Sequence, residues 1–217
     1  EKMIAESRGY VVVEPEAVLA TQLGKMIETN AHELVGLDEI KDIVSELSST
    51  SPALVESVVP KLIPYHNLTA VLKKILEEQV PITDMRKILE CLAELAGRNL
   101  NVSDTAEALR ADLIPLLLQR LVPHNDAVPV ITLEPNFENL LINADRQNQQ
   151  EELILDVSLS QTLITQLSNA VDQQLEKSKA PFLIVSPSIR RKLAKLVRAQ
   201  LSDLNVDKIK LTNDIHA

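Results

Sequence analysis

Histidine and cysteine side chains are the first candidates for chemistry in this chain of 217 residues. His32 is followed by Glu33 in a helical pattern, so the pair could act as a general base and the carboxylate that orients it. Many helices carry such a pair for solubility, and we interpret His32 as an exposed structural residue. The four histidines and the one cysteine of the chain are not spaced as zinc ligands, and no metal or cofactor is expected. The residues are His32, His66, His124, His216 and Cys91.

Phosphate-binding loops and nucleophile elbows are not indicated either. The glycines are scattered singly along the chain, whereas a phosphate cradle needs several in one loop. The serines of the predicted turns and caps lack the pattern of a nucleophile elbow. Cys91 lies within an apolar helical pattern and is interpreted as a small core residue. The sequence therefore favours a scaffold or docking protein over an enzyme.

Composition narrows the class of partner. The net charge of −9 would repel a phosphate backbone, so nucleic acid is not an expected partner. Aromatic residues make up 2% of the chain, which disfavours pockets that stack rings or bases. No run approaches the roughly 20 apolar residues needed to span a bilayer. The chain as given is expected to be soluble, with a core of Leu, Ile, Val and Ala.

A helix predicted over Val80 to Ala96 organises the rest of the chain. Thr83 stands where an N-cap belongs, and Gly97 stands where a helix would stop. Between them, apolar residues recur at helical spacing and need partner helices on both sides. These residues are Met85, Ile88, Leu89, Leu92 and Leu95.

Helical patterns surround this central helix. One is predicted to run from Glu16 to Gly36, after a short strand over Tyr10 to Pro15. Another begins at Ser103 and contains Pro115, which predicts a kink or break near Asp112. The polar segment Pro123 to Ala127 marks a domain boundary. Together these patterns predict an all-helical domain before that boundary.

The remainder of the chain alternates strands and helices. Apolar runs predict strands over Val128 to Leu133, Ala180 to Pro187 and Val206 to Leu211. Amphipathic patterns predict helices between them, one of them over Ser158 to Ser178. This order is typical of a small α/β layer. The fold class is therefore an all-helical domain followed by a small α/β domain.

The last predicted helix is basic and could dock an acidic partner. We favour the interpretation that its charges form a solvated face that balances an acidic protein. These charged residues are Arg190, Arg191, Lys192, Lys195 and Arg198.

Four blocks in the first half of the chain occur together in a recognisable order: VVVEPEAVLATQL, NAHELVG, LVESVVPKLI and VPITDMRKILECLAEL. Together they resemble the large export-gate subunit of type III secretion systems, most closely the flagellar branch. After Pro123 the segments VITLEPNFENLLI and APFLIVSPSIRRKLAKLV extend the resemblance.

The resemblance implies that this chain is the later part of a cytosolic half, on the cytoplasmic side of the bacterial inner membrane. The membrane half and one inserted subdomain would be absent. Residues 1–23 would end the preceding α/β subdomain and form its strand-helix remnant. Residues 24–122 would form the all-helical subdomain, and residues 128–217 the C-terminal α/β subdomain. Family members form nine-membered rings beneath a membrane channel, receive export chaperone–substrate complexes, work with an associated ATPase complex, and are not themselves catalysts.

The resemblance also implies a chaperone-docking site at His32, Val35 and His66. Val35 would be an exposed apolar anchor at a helix end, with polar residues beside it that set register. Alternatively, Val35 packs internally and the histidines only cap helices. Two other functions stay open on the sequence alone: a helical adaptor unrelated to export, and a hydrolase that uses His32 or His66.

Overall fold

The computed structural model describes residues 13–121, 130–148, 152–175, 182–200 and 210–212. The chain divides into two units, Glu1–Leu109 and Arg110–Ala217, which we call the first and second unit. The predicted strand at Tyr10 lies largely outside the described residues, and the predicted boundary at Pro123 to Ala127 lies wholly outside them. The three predicted domain ranges therefore stay predictions.

The described part of the first unit is helical. Two of its helices, α1 and α4, begin at a proline, whose fixed φ suits the first helical position. The helices are α1 (Pro15–Thr29), α2 (Ala31–Leu34), α3 (Leu37–Thr50), α4 (Pro52–Val58), α5 (Tyr65–Glu77), α6 (Met85–Leu95), a 3-10 turn (Ala96–Arg98), and the first half of α7 (Val102–Leu121).

The long helix predicted up to Gly36 is wrong in one respect, because it ends at Thr29 and α2 starts anew. The Nδ2 group of Asn30 donates a hydrogen bond to the carbonyl oxygen of Met26 at 2.8 Å. An Asn side chain that bonds the local backbone in this way competes with helix continuation. Of the kink or break predicted near Asp112, the break does not occur, since α7 continues through Pro115, and the kink stays a prediction. Pro115 is exposed, so water can satisfy the carbonyl that loses its helical partner.

Helix α6 forms the centre of the first unit, as its apolar spacing predicts. All five residues of the predicted stripe are buried, and α6 contacts both α3 and α4. The predicted cap at Thr83 is wrong by one position, because Asp84 Oδ1 accepts the backbone N–H of Lys87 at 3.0 Å. Asn99, rather than Gly97, takes the left-handed conformation after the helix, with φ of 50°.

The second unit contains a parallel sheet with helical crossovers, so the predicted fold class is confirmed. Its strands lie in the order β1-β2-β3, and Leu183 of β2 is in register with Ile131 of β1 and Leu211 of β3. Parallel strands need such crossovers, and the central strand β2 is buried between them. After α7, the elements are β1 (Val130–Thr132), α8 (Pro135–Asn148), α9 (Val157–Leu175), β2 (Phe182–Ile184), α10 (Pro187–Gln200) and β3 (Lys210–Thr212).

Carboxylates fix the start of both crossover helices between β1 and β2. Glu134 Oε2 accepts the N–H of Phe137 at 2.9 Å, and Asp156 Oδ1 accepts the N–H of Leu159 at 2.8 Å. These bonds satisfy backbone donors that a helix start leaves without partners. Among the described residues, no helix is both long and apolar enough to cross a membrane.

Candidate docking site

The predicted residues His32 and Val35 lie at the short helix α2. His32 is half-buried, and its Nδ1 atom is buried without a hydrogen-bond partner among the described residues. A general base oriented by Glu33 through that atom is therefore not formed. Val35 ends the helix and donates its backbone N–H to the carbonyl of Ala31 at 3.2 Å.

His66 is exposed at the second position of α5. Helix α2 packs against α5, so the structure brings the two histidine-bearing elements together within the first unit. Residues 34 positions apart in sequence thus belong to neighbouring helices. This arrangement could present a single surface to a partner.

Val35 is half-buried, which departs from its predicted role as an exposed anchor. The adjacent Leu34 is 59% exposed, and Leu37 and Leu62 are also exposed. Leu34 and Leu62 lie within the regions to which the resemblance maps the site, 31–36 and 62–68, but sequence reasoning did not single them out, and it missed Leu37. Large exposed aliphatic side chains are candidates for burial against a partner.

The turn between α2 and α3 is held by one carboxylate. Glu39 Oε2 accepts the backbone N–H of Gly36 at 2.8 Å. Hydrogen bonds from the backbone N–H groups of Glu39 itself and of Gly36 hold the pKa of Glu39 below its ordinary value. A Cβ atom at position 36 would lie 2.8 Å from the same oxygen, so this glycine permits the close approach. The turn fixes where Val35 and Leu37 lie relative to each other.

Helix α1 also exposes apolar side chains, and none of its residues is buried. Its sequence pattern predicts a face packed in a core, but the described residues provide no such burial. The exposed residues are Val18, Leu19, Leu23, Met26 and Ile27.

The basic helix α10 is balanced largely within the second unit. Lys192 pairs with Asp145, and Lys195 pairs with Glu152. Arg190 is fully buried. Arg191 and Arg198 have interactions of their own. The predicted solvated face is therefore wrong for Arg190, which is buried, and for Lys192, whose side chain is 15% exposed and paired with Asp145.

No cluster of His, Cys, Asp and Glu that could hold a metal ion occurs among the described residues. His124 and His216 lie outside them. Cys91 is half-buried on α6. The absence of a cofactor stays a prediction.

Comparison with known proteins gives the family of the chain. The sequence profile of the FHIPEP family matches residues 1–210. The flagellar biosynthesis protein FlhA of Escherichia coli (strain K12) is 32% identical over 213 residues, which cover 98% of this chain and 30% of that protein. The chain therefore spans about a third of the length of this curated relative.

Solved structures agree in fold. A chain in the structure of the Chlamydia pneumoniae CdsV and CdsO protein complex superposes with a TM-score of 0.78 at 24% identity, over 98% of this chain and 60% of that one. The nonameric EPEC SctV-C, solved by cryo-electron microscopy, gives a TM-score of 0.77 at 21% identity, over 98% of this chain and 66% of that one.

The family match extends from residue 1 through β1 and β2 to residue 210, the first residue of β3, close to the reach of the predicted resemblance. The chain belongs to the FHIPEP family and matches the C-terminal part of FlhA and SctV proteins.

Proposed function

We propose that this chain is a cytosolic docking platform of a type III protein export gate. The observation that carries the proposal is the family match over residues 1–210. It is joined by the similarity to a relative named as a flagellar biosynthesis protein. In the full-length protein, the platform would lie on the cytoplasmic side of the bacterial inner membrane. There it would receive complexes of an export chaperone and its substrate, without catalysing a reaction.

The docking site we propose is the surface of α2 and the start of α5, with His32, Val35 and His66. The packing of α2 against α5 supports it, because both histidines then belong to adjacent elements. Exposed Leu34 would supply the apolar anchor that half-buried Val35 supplies only in part. An amphipathic helix of the chaperone–substrate complex would place its apolar face here, in the helix-in-groove mode of recognition.

Calorimetric titration of the chain with a flagellar export chaperone bound to its substrate tests this site. Leu34→Asp should weaken binding at least about tenfold, since it buries a charge at the contact. His66→Ala should weaken binding by a smaller factor. The matched control is Leu140→Asp, an exposed leucine of the second unit, with circular dichroism to confirm folding of every variant.

The outcomes separate the site from the function. Binding that survives Leu34→Asp and His66→Ala would remove the proposed site but keep the platform. If the full-length protein that contains the unsubstituted chain binds no such complex, the docking function is contradicted. That result would favour an adaptor unrelated to export.

We also propose that the full-length protein assembles into a nine-membered ring and contacts other export-apparatus proteins, including the ATPase complex. A similar chain occurs as a nonamer, and another occurs in a complex of CdsV with CdsO. Sedimentation velocity of the full-length protein in detergent should show an assembly of about nine chains. A monomer at micromolar concentration would contradict the ring.

A further inference from the structure

A cleft of about 410 Å³ opens in the second unit. The buried side chains of Leu163 and Leu167 form its apolar floor. Half-buried side chains form its apolar walls, among them Phe137, one of only two phenylalanines in the chain. Its apolar lining consists of Ile131, Leu133, Phe137, Leu163, Leu167 and Ala170.

The cleft lies at one edge of the sheet. Its described lining comes from β1, the turn that follows, α8 and α9, and none of it comes from β2. Strand β1 pairs with β2 on one side, and among the described residues it has no strand neighbour on the other. The strand residues in the lining, Ile131 and Thr132, are consecutive and so point to opposite faces of β1, and a cleft lined by both faces the strand's edge. The cleft is therefore a groove between an edge strand and a helix.

Such a groove suits an extended peptide. The edge of β1 offers backbone N–H and C=O groups that an added strand can bond, and an edge left unpaired is a template for another chain. The apolar floor accepts alternate side chains of that strand. The polar residues at the rim, Thr132, Thr162 and Gln166, are exposed and keep the opening wet.

The charge at the groove selects among peptides. Glu134 is the one ionisable residue in the described lining, and it is exposed. Helix α9 contains Asp172 and no lysine or arginine. Glu134 also accepts the N–H of Phe137, and its single negative charge, in a chain of net charge −9, favours a cationic peptide over an acidic one.

We propose that the groove between β1 and α9 binds an extended cationic segment of a partner protein, which adds as a strand to the edge of β1. An aliphatic side chain of that segment lies on Leu163 and Leu167, and a lysine or arginine lies near Glu134. This site is independent of the docking site in the first unit, and the proposal stands without it.

The test is a nuclear magnetic resonance titration of the complete 217-residue chain with the blocked octapeptide Lys-Thr-Val-Thr-Leu-Thr-Val-Lys. Amide signals of residues 130–134 and 162–170 should shift and saturate. The same peptide with glutamate at both ends should bind at least about tenfold more weakly, a difference of about 1.4 kcal/mol. A scrambled cationic peptide, with its apolar residues placed together, controls for charge alone.

Two matched pairs of variants locate the site on α9. Thr162→Trp fills the groove and should abolish the shifts, whereas Thr165→Trp, exposed on the same helix outside the groove, should keep them. Gln166→Lys should weaken binding of the cationic peptide by repulsion, whereas Gln161→Lys should change it less. Circular dichroism confirms that each variant is folded.

Three results would overturn the proposal. The first is the absence of any amide shift at about 1 mM peptide, a concentration at which even binding too weak to be specific would produce shifts. Another is binding that Thr162→Trp leaves unchanged. The third is the same set of shifts on concentrating the chain without peptide, which would place a second copy of the chain in the groove.

Discussion

In the first unit, α6 contacts its neighbours through five buried apolar side chains. In the second unit, α8 also makes polar contacts, far apart in sequence, with α10 and with the residue that precedes it. Glu138 accepts the backbone N–H of Ser186, and Lys192 pairs with Asp145. The polar contacts described for α6 are local instead, such as Arg86 with Glu90 one turn away.

This difference has a physical consequence for the two units. The stability gained from burial of apolar surface depends little on pH, whereas paired charges contribute only while both groups are ionised. The second unit should therefore respond to charge removal in a way that the first does not. Each of the three predictions below tests one side of this comparison.

The largest effect is expected from Leu89→Ala in α6. Leu89 is fully buried, so the change removes apolar contacts and leaves a cavity that costs about 2–5 kcal/mol of unfolding free energy. Urea denaturation gives the loss, and hydrogen exchange should place it in α6 and in α3 and α4, which it contacts. The control Leu19→Ala removes an exposed side chain of α1 and should change stability by less than about 0.5 kcal/mol. Equal losses for the two variants would contradict the central position of α6.

The next effect is expected from Asp145→Asn in α8. The side chains of Lys192 and Asp145 are each 15% exposed, so removal of one charge leaves its partner poorly solvated. We expect a loss of about 1.5–3 kcal/mol, measured by urea denaturation and located in α8 and α10 by hydrogen exchange.

The controls for this pair separate burial from charge. The double variant Asp145→Leu with Lys192→Met should recover part of the loss, because no buried charge is left without a partner. Lys195→Met breaks the pair with Glu152, whose side chains are 63% and 65% exposed, and should have a much smaller effect. If Lys195→Met is as costly as Asp145→Asn, partial burial is not what makes the first pair strong.

The sequence predicted the elements better than their ends. The stripe of α6 and the three parallel strands were predicted because periodicity and apolar runs reflect burial directly. The cap of α6 was misplaced because Thr83 and Asp84 are adjacent and both suit an N-cap. The carboxylate of Asp84 makes the bond to Lys87 in the folded chain.

The candidate site was harder to predict than the fold. Exposure of Leu34 and half-burial of Val35 depend on the interruption at Asn30 and on the packing of α2 against α5. Both are set by contacts between segments, which spacing within one segment does not reveal. The groove at β1 was missed for the same reason, since Phe137 and Leu163 meet only after the sheet has formed.

The smallest effect is expected from lowering the pH, which tests the comparison between the two units at individual carboxyl groups. The hydroxyl of Ser158 and the N–H of Leu159 hold the pKa of Asp156 below its ordinary value, and hydrogen bonding to Lys195 lowers the pKa of Glu152. In the first unit, backbone hydrogen bonds lower the pKa of Glu39. A carboxyl group whose pKa is lower in the folded chain than in the unfolded chain stabilises the fold. Its contribution is fully present above the unfolded pKa of about 4. That contribution is lost as the pH falls through the lower folded value, because the unfolded chain binds protons first.

Urea midpoints measured between about pH 5 and pH 2.5 should therefore decline in acid, over the range in which these carboxyl groups titrate. Asp156→Asn keeps a side-chain oxygen for the helix cap but cannot titrate, so it should flatten part of this decline in the second unit. Glu39→Gln should do the same in the first unit. Since Asp156 and Glu152 both lie in the second unit, its hydrogen-exchange protection should fall more steeply in acid than that of the first. An identical acid decline for Asp156→Asn and the parent chain would mean that the bonds of Asp156 to Ser158 and Leu159 do not persist in solution.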